Sequence, residues 1–265
     1  SYASFPEQLI GRRFSVRGTH LCIPPPARRL TLTLDAGLAF GSGEHGSTRG
    51  CIRALERVAW RRPRRILDLG TGSGILAMAA ARLLHRAVVA TDIEPWSVFV
   101  AKQNAALNRL GQLVRVRLAN GWRNPGVRAR GPYDLVLANI LARPLMRLAP
   151  SLARVLRADG TLILSGLLAR DVRGVLSAYA AQGLCLQLRS LREGWATLVL
   201  RRRGAAPRRT RPRSRPPPAR RAHPGQVDSR TSAHRRDRRA LAEGPRRQRA
   251  APPDPGCSEG DLWQP

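Results

Sequence analysis

Three glycines at alternate positions, Gly70, Gly72 and Gly74, stand between the apolar stretch Ile66-Leu67-Asp68-Leu69 and the Ala-rich stretch that opens Ile75-Leu76-Ala77. This order of residue types predicts a strand, a tight turn and a helix. Glycine lets the backbone turn sharply and approach a ligand closely. The helix that follows offers unpaired N–H groups at its start, which suit a polar or anionic ligand. Asp92 closes the next apolar stretch, 22 positions after Gly70, where a carboxylate in a doubly wound sheet reaches ribose hydroxyls. The spacing is Gly-x-Gly-x-Gly, so the dinucleotide fingerprint Gly-x-Gly-x-x-Gly is not met. Asp68, at the end of the strand, is expected to face the ligand. There it would repel a pyrophosphate and attract an amino group.

A second group of residues converges on the same place. Asn139 ends the apolar run Tyr133-Asp134-Leu135-Val136-Leu137-Ala138, which reads as a strand buried on both faces. In an open α/β sheet that strand lies beside the first one, and ligands bind beyond the carboxyl ends. Asn139 therefore faces the reactive end of whatever the glycine loop holds, with one acceptor and one donor group to orient it. Ahead of the first central strand, the Gly-rich residues 37–46 exclude regular structure and read as a lid over the ligand. His45 in that lid is a candidate base, with a structural role as the plainer reading.

The elements needed to position these groups are present in order. The patterning predicts helix from about Ser47-Thr48 to Trp60, strand 64–69, helix 74–85, strand 87–92 and a helix from Pro95 to about Arg109. Strand 113–118, a polar loop over 120–132, strand 133–138 and a helix from Pro144 to about 156 follow. Strand 161–165, helix 170–181 and an antiparallel pair at 184–191 and 195–200 complete the pattern. Alternating strands and helices imply a mostly parallel sheet. The fold class is α/β, a Rossmann-like, seven-stranded, mostly parallel sheet with an antiparallel edge hairpin.

The string Leu67-Asp68-Leu69-Gly70-Thr71-Gly72-Ser73-Gly74 resembles the cofactor loop of class I S-adenosylmethionine methyltransferases. With Leu38-Ala39-Phe40-Gly41-Ser42-Gly43-x-His45-x-Ser47-Thr48-Arg49, Asp92-Ile93-x-Pro95 and Ala138-Asn139-Ile140-Leu141-Ala142, the chain over about residues 5–201 resembles the PrmA family. These enzymes methylate amino groups of protein eleven of the large ribosomal subunit with S-adenosyl-L-methionine. The resemblance implies that Thr48, Gly70, Gly72, Asp92 and Asn139 contact the cofactor, with Phe40 and His45 nearby and Asn139 also at the reacting end. It implies no metal. Ser42 and Ser47 replace two threonines of the usual lid and keep the hydroxyls. The family carries an N-terminal substrate-recognition domain, of which this chain shows at most the linker. Base methylation is disfavoured, because Asn-Ile-Leu-Ala stands where Asn/Asp-Pro-Pro-Tyr is usual. Two alternatives stay open: an enzyme of this fold acting on RNA or a small molecule, and a non-catalytic RNA-binding protein.

Composition bounds the remaining readings. The net charge of +30 invites a nucleic-acid partner, but Lys102 is the only lysine among 47 basic residues, a bias that GC-rich coding produces. Residues 201–265 hold 18 arginines against 6 acids, with almost no apolar periodicity. The domain plan is a linker remnant over 1–34, in which 14–17 and 30–34 alternate as short strands would, a methyltransferase domain over 35–203 and an Arg/Pro-rich tail over 204–265, expected to be disordered. Weak RNA contact through the tail, an inert tail and a frame-shifted reading past residue 203 are the three accounts of it. The chain starts without Met, as a fragment would. Four scattered cysteines, no signal-peptide pattern and no apolar run of membrane length point to the cytoplasm and no membrane.

Overall fold

The computed structural model describes residues 6–35, 46–120 and 124–202. The chain divides into a unit over Ser1–Arg209 and a second over Thr210–Pro265, and the second lies outside the described residues, as do 1–5, 36–45 and 121–123.

Sixteen elements are described in chain order. They are β1 (Gln8–Ile10), β2 (Phe14–Gly18), β3 (Leu30–Leu34), α1 (Gly46–Val58), β4 (Ile66–Leu69), α2 (Ile75–Leu84), β5 (Val88–Asp92), α3 (Pro95–Leu107), β6 (Val114–Leu118), α4 (Pro125–Arg128), β7 (Tyr133–Asn139), α5 (Ala142–Val155), β8 (Leu156–Leu168), α6 (Val172–Ala180), β9 (Leu184–Arg192) and β10 (Trp195–Arg202). The central sheet has the order β6-β5-β4-β7-β8-β10-β9. Strands β4 to β8 run parallel and β10 is antiparallel to both of its neighbours. This is the seven-stranded α/β sheet the patterning predicts, with β4 and β7 adjacent.

Burial explains why these strands read as continuous apolar runs. Ile66, Ala90, Leu135, Leu137 and Ile163 point to the layer of α1, α2 and α3. Leu67, Leu69, Val136, Leu162 and Leu164 point to the layer of α5 and α6. A strand covered on both faces alternates between two cores rather than between core and water. Asp68 falls on the α1–α3 side of this alternation, between Leu67 and Leu69.

Four details differ from the patterning. The alternating stretches 14–17 and 30–34 are strands β2 and β3, but residues 8–34 are no mere linker: with β1 they form a three-stranded sheet, β2 antiparallel to β1 and parallel to β3. Its Ile10, Phe14, Val16, Leu32 and Leu34 are buried in the same cluster as α1 and α2. The polar stretch 120–132 holds α4, begun by Asn124, whose side chain accepts from the Gly126 N–H at 2.9 Å; Asn-Pro is a helix-start signal that a short span conceals. Helix α1 runs over Gly46–Val58, so Ser47 and Thr48 lie within its first turn and the helix ends before Trp60. Strand β8 starts at Leu156, because the Asp159-Gly160 turn forms a bulge inside it: Tyr133 pairs with Leu156, and Leu135 already with Thr161.

Candidate functional site

Register brings the chemistry-bearing residues level. Leu69 pairs with Thr91 on one side and with Ala138 on the other. Gly70, Asp92 and Asn139 therefore stand in one row, a position further along at the carboxyl edge. Asn139 is in turn level with Ser165 of β8. A cleft of about 340 Å³ opens above this row, and Thr48, Gly70, Gly72, Asp92 and Asn139 all line it, with Ser97, Ile140 and Trp195. That volume lies at the lower end of the range for small-molecule sites. Phe40 and His45 lie outside the described residues.

The glycine loop is held from three sides. The N–H groups of Gly70 and Thr71 both donate to the Thr91 carbonyl, at 2.8 and 3.0 Å. The Gly72 N–H donates to Asp92 Oδ2 at 2.9 Å. From α3, Asn104 Nδ2 donates to the Ser73 carbonyl at 2.9 Å. Gly70 adopts φ +69°, and a Cβ there would collide with the Ile140 side chain. Only glycine both takes that backbone conformation and leaves room for the neighbouring loop. Gly166, at φ +79°, does the same for the Ile140 backbone from β8, so residues 139–141 run between two glycines.

Asp92 is fixed by backbone donors. Its Oδ2 takes the Gly72 N–H, and its Oδ1 takes the Glu94 N–H at 3.1 Å. Each oxygen keeps further acceptor capacity on the cleft side for hydroxyl groups. Asn139 donates through Nδ2 to Thr48 Oγ1 at 3.2 Å, while its Oδ1 is buried and has no hydrogen-bond partner among the described residues. A buried carbonyl without a donor costs about 1–3 kcal/mol. Here the orphan belongs to a cleft-lining residue, so a donor on a bound ligand would relieve that cost.

Asp68 departs from its expected role. It is buried and absent from the cleft lining. Its Oδ2 accepts from Thr71 Oγ1 at 2.6 Å and from the Ala77 N–H at 3.1 Å. The strand alternation turns the side chain under the first turn of α2, where it serves unpaired helix amides instead of a ligand. Burial raises its carboxyl to about 7, against the two hydrogen bonds, and the charge of Asp92 pushes the same way. Burial also pushes the neighbouring Cys51 thiol well up, which leaves it unreactive.

Sequence reasoning missed Asn104 and Asn108. Both are buried polar residues: Asn104 lies in α3, and Asn108, one helical turn on, caps its C-terminus. Asn104 Oδ1 accepts from the Asp35 N–H at 3.1 Å. Asn108 pairs with both backbone groups of Thr33, at 2.9 and 2.6 Å. The pair ties β3, and through it the start of the 36–45 segment, to the helix that steadies the glycine loop. An amide at i and i+4 inside an otherwise apolar helix face was the available signal.

The residues present fit a nucleoside carrying an amino-acid group: hydroxyl acceptors at Asp92, a turn without Cβ atoms at Gly70 and Gly72, and an orphan acceptor at Asn139. Comparison with known proteins agrees with that chemistry. The family described as Ribosomal protein L11 methyltransferase (PrmA) matches residues 3–203. A "Ribosomal protein L11 methyltransferase" of Bradyrhizobium diazoefficiens is 50% identical over 194 residues, covering 72% of this chain and 65% of that protein. One from Mesorhizobium japonicum is 47% identical over 190 residues, covering 71% and 66%. The chain thus spans about two thirds of the length of these relatives. The crystal structure of a ribosomal protein L11 methylase from Lactobacillus delbrueckii subsp. bulgaricus superposes with TM-score 0.68 at 32% identity, over 74% of this chain and 98% of that one. Sequence, sheet order and the row of Gly70, Asp92 and Asn139 lead to one assignment: the chain belongs to the ribosomal protein L11 methyltransferase (PrmA) family.

Proposed function

We propose that the chain is a protein N-methyltransferase that binds S-adenosyl-L-methionine in the cleft and methylates amino groups of ribosomal protein L11. The observation that carries this reading is the buried, unpartnered Oδ1 of Asn139 beside the ordered glycine loop. When bound, the cofactor supplies an electrophilic methyl group. The chain's own residues bind, orient and exclude water. Asp92 accepts ribose hydroxyls through the lone pairs that Gly72 and Glu94 leave unused. Asn139, held by Thr48, turns its carbonyl toward the donor groups of cofactor or substrate. Gly70 and Gly72 let the backbone lie against the ligand without a side chain between them.

A lysine amine has an ordinary pKa of about 10.4 and must be neutral to attack. A dry cleft beside a cationic group lowers that value, so positioning does most of the work. Family membership supports L11 as the substrate, and a ribosomal substrate supports a cytoplasmic location. The methyltransferase domain of this reading spans 35–203, with the sheet of residues 8–34 packed against it. RNA contact by residues 204–265 rests on their charge alone, and its loss on deleting them would be the test. The substrate reading is tested by methyl transfer from labelled S-adenosyl-L-methionine to purified L11. Transfer is expected with the intact chain and a loss of about a hundredfold with Asn139→Ala. Transfer to a metabolite or to RNA but not to L11 would contradict it.

A further inference from the structure

The sheet has a second functional edge, opposite the cleft. Strands β4 to β8 begin there and β10 ends there. Three grooves of about 530, 560 and 290 Å³ run along it. The first two share Trp60, Arg62 and Pro63, and the first and third share Arg64, so the three adjoin one another. Six of the seven strands bring an arginine to this edge: Arg64 before β4, Arg86 before β5, Arg115 in β6, Arg130 before β7, Arg157 in β8 and Arg201 in β10. At the other ends of the parallel strands, within the same two or three residues, only Arg117 of β6 and Arg170 after β8 are arginines among the described residues.

The carboxylates lining the grooves are already engaged. Glu56 accepts the N–H groups of Arg12 and Arg13. Asp134 accepts those of Arg64 and Arg65 and pairs with Arg157. Asp159 pairs with Arg201. The side chains of Arg62, Arg64, Arg86, Arg115 and Arg130 are exposed and form no ion pair with any described residue. At the junction of the grooves, Trp60 is 72% exposed, with the Arg61 guanidinium 4.6 Å from its ring centre. An indole is ordinarily buried. Here it makes, with the guanidinium, a planar platform at the centre of a cationic channel. That combination of backbone-tracking charge and a stacking surface suits single-stranded nucleic acid, and guanidinium groups match phosphate geometry.

We propose that this edge binds a single-stranded RNA segment, with phosphates along the arginine row and a base on Trp60. The test is fluorescence anisotropy of the full chain with a labelled twelve-nucleotide single-stranded RNA of mixed sequence. The proposal expects the triple variant Arg62→Glu, Arg64→Glu, Arg130→Glu to weaken binding at least about tenfold and to flatten its salt dependence. The charge-matched triple Arg208→Glu, Arg209→Glu, Arg211→Glu should weaken it less than about threefold. Trp60→Ala, which changes no charge, should weaken RNA binding about tenfold and leave poly-L-glutamate binding unchanged. Equal effects of the two triples would show attraction by overall charge only and overturn the proposal. So would retention of RNA affinity by Trp60→Ala, or an equal loss of poly-L-glutamate affinity, which would mark a surface for acidic protein. Thermal melting of each variant controls for folding.

Discussion

Asn139 shows how one side chain is prepared by another. Its amide nitrogen is committed to Thr48 Oγ1 at 3.2 Å, which fixes the side chain with its Oδ1 buried. Thr48→Val keeps the shape and removes the acceptor. Affinity for S-adenosyl-L-methionine should fall about five- to tenfold, and Thr48→Ser should restore it, as titration calorimetry would read. Asp68 makes a prediction of a different kind. Its native pKa of about 7 lies above its ordinary 3.8, so between those values the folded chain holds a proton that the unfolded chain has released. This group's contribution to stability is complete below pH 4 and is lost as pH rises through 7. Asp68→Asn, which cannot ionise, should flatten the fall in melting temperature between pH 4.5 and 8. An unchanged slope would contradict the burial argument.

At the scale of elements, α3 does more than cover the sheet. Asn104 reaches the glycine loop at Ser73, whereas Asn108, one turn on, reaches Thr33 in β3. The two buried amides separate site geometry from general stability. Asn104→Ala should lower both the melting temperature and cofactor affinity, the latter about tenfold. Asn108→Ala should lower the melting temperature by a similar amount with affinity nearly unchanged. Equal affinity losses would mean that α3 acts only as packing. These ties were hidden in the sequence because an amide in a helix declares no partner until the fold supplies one. The strand–glycine–helix unit at 66–84 was legible for the opposite reason: local periodicity, turn chemistry and the closing Asp92 all lie within one βαβ stretch. Asp68 was misplaced because strand alternation decides its face, and a strand buried on both sides gives no polar face to read. The level row of Gly70, Asp92 and Asn139 needed the registers of β5 and β7 against β4.

At the scale of the whole chain, the +30 charge resolves into places. The described edge opposite the cleft carries arginines, while the cleft edge carries Asp92 and Glu94 with the buried Asp68 beneath. Among the described residues no helix is long and apolar enough to cross a membrane. The family match over residues 3–203 includes β1 to β3, whose apolar residues are part of the α1–α3 core. Alternation made β2 and β3 legible, whereas the 3-residue β1 and the β2–β3 pairing across the intervening Pro24-Pro25-Pro26 were hidden. The central claim is that the row at the carboxyl edge holds S-adenosyl-L-methionine, and its most direct test is titration calorimetry of that compound into the intact chain and its Asp92→Ala variant. One saturable site in the intact chain, with affinity lowered at least about a hundredfold by Asp92→Ala, is the predicted result. Equal affinity in both proteins, or no binding to the intact chain, would contradict it.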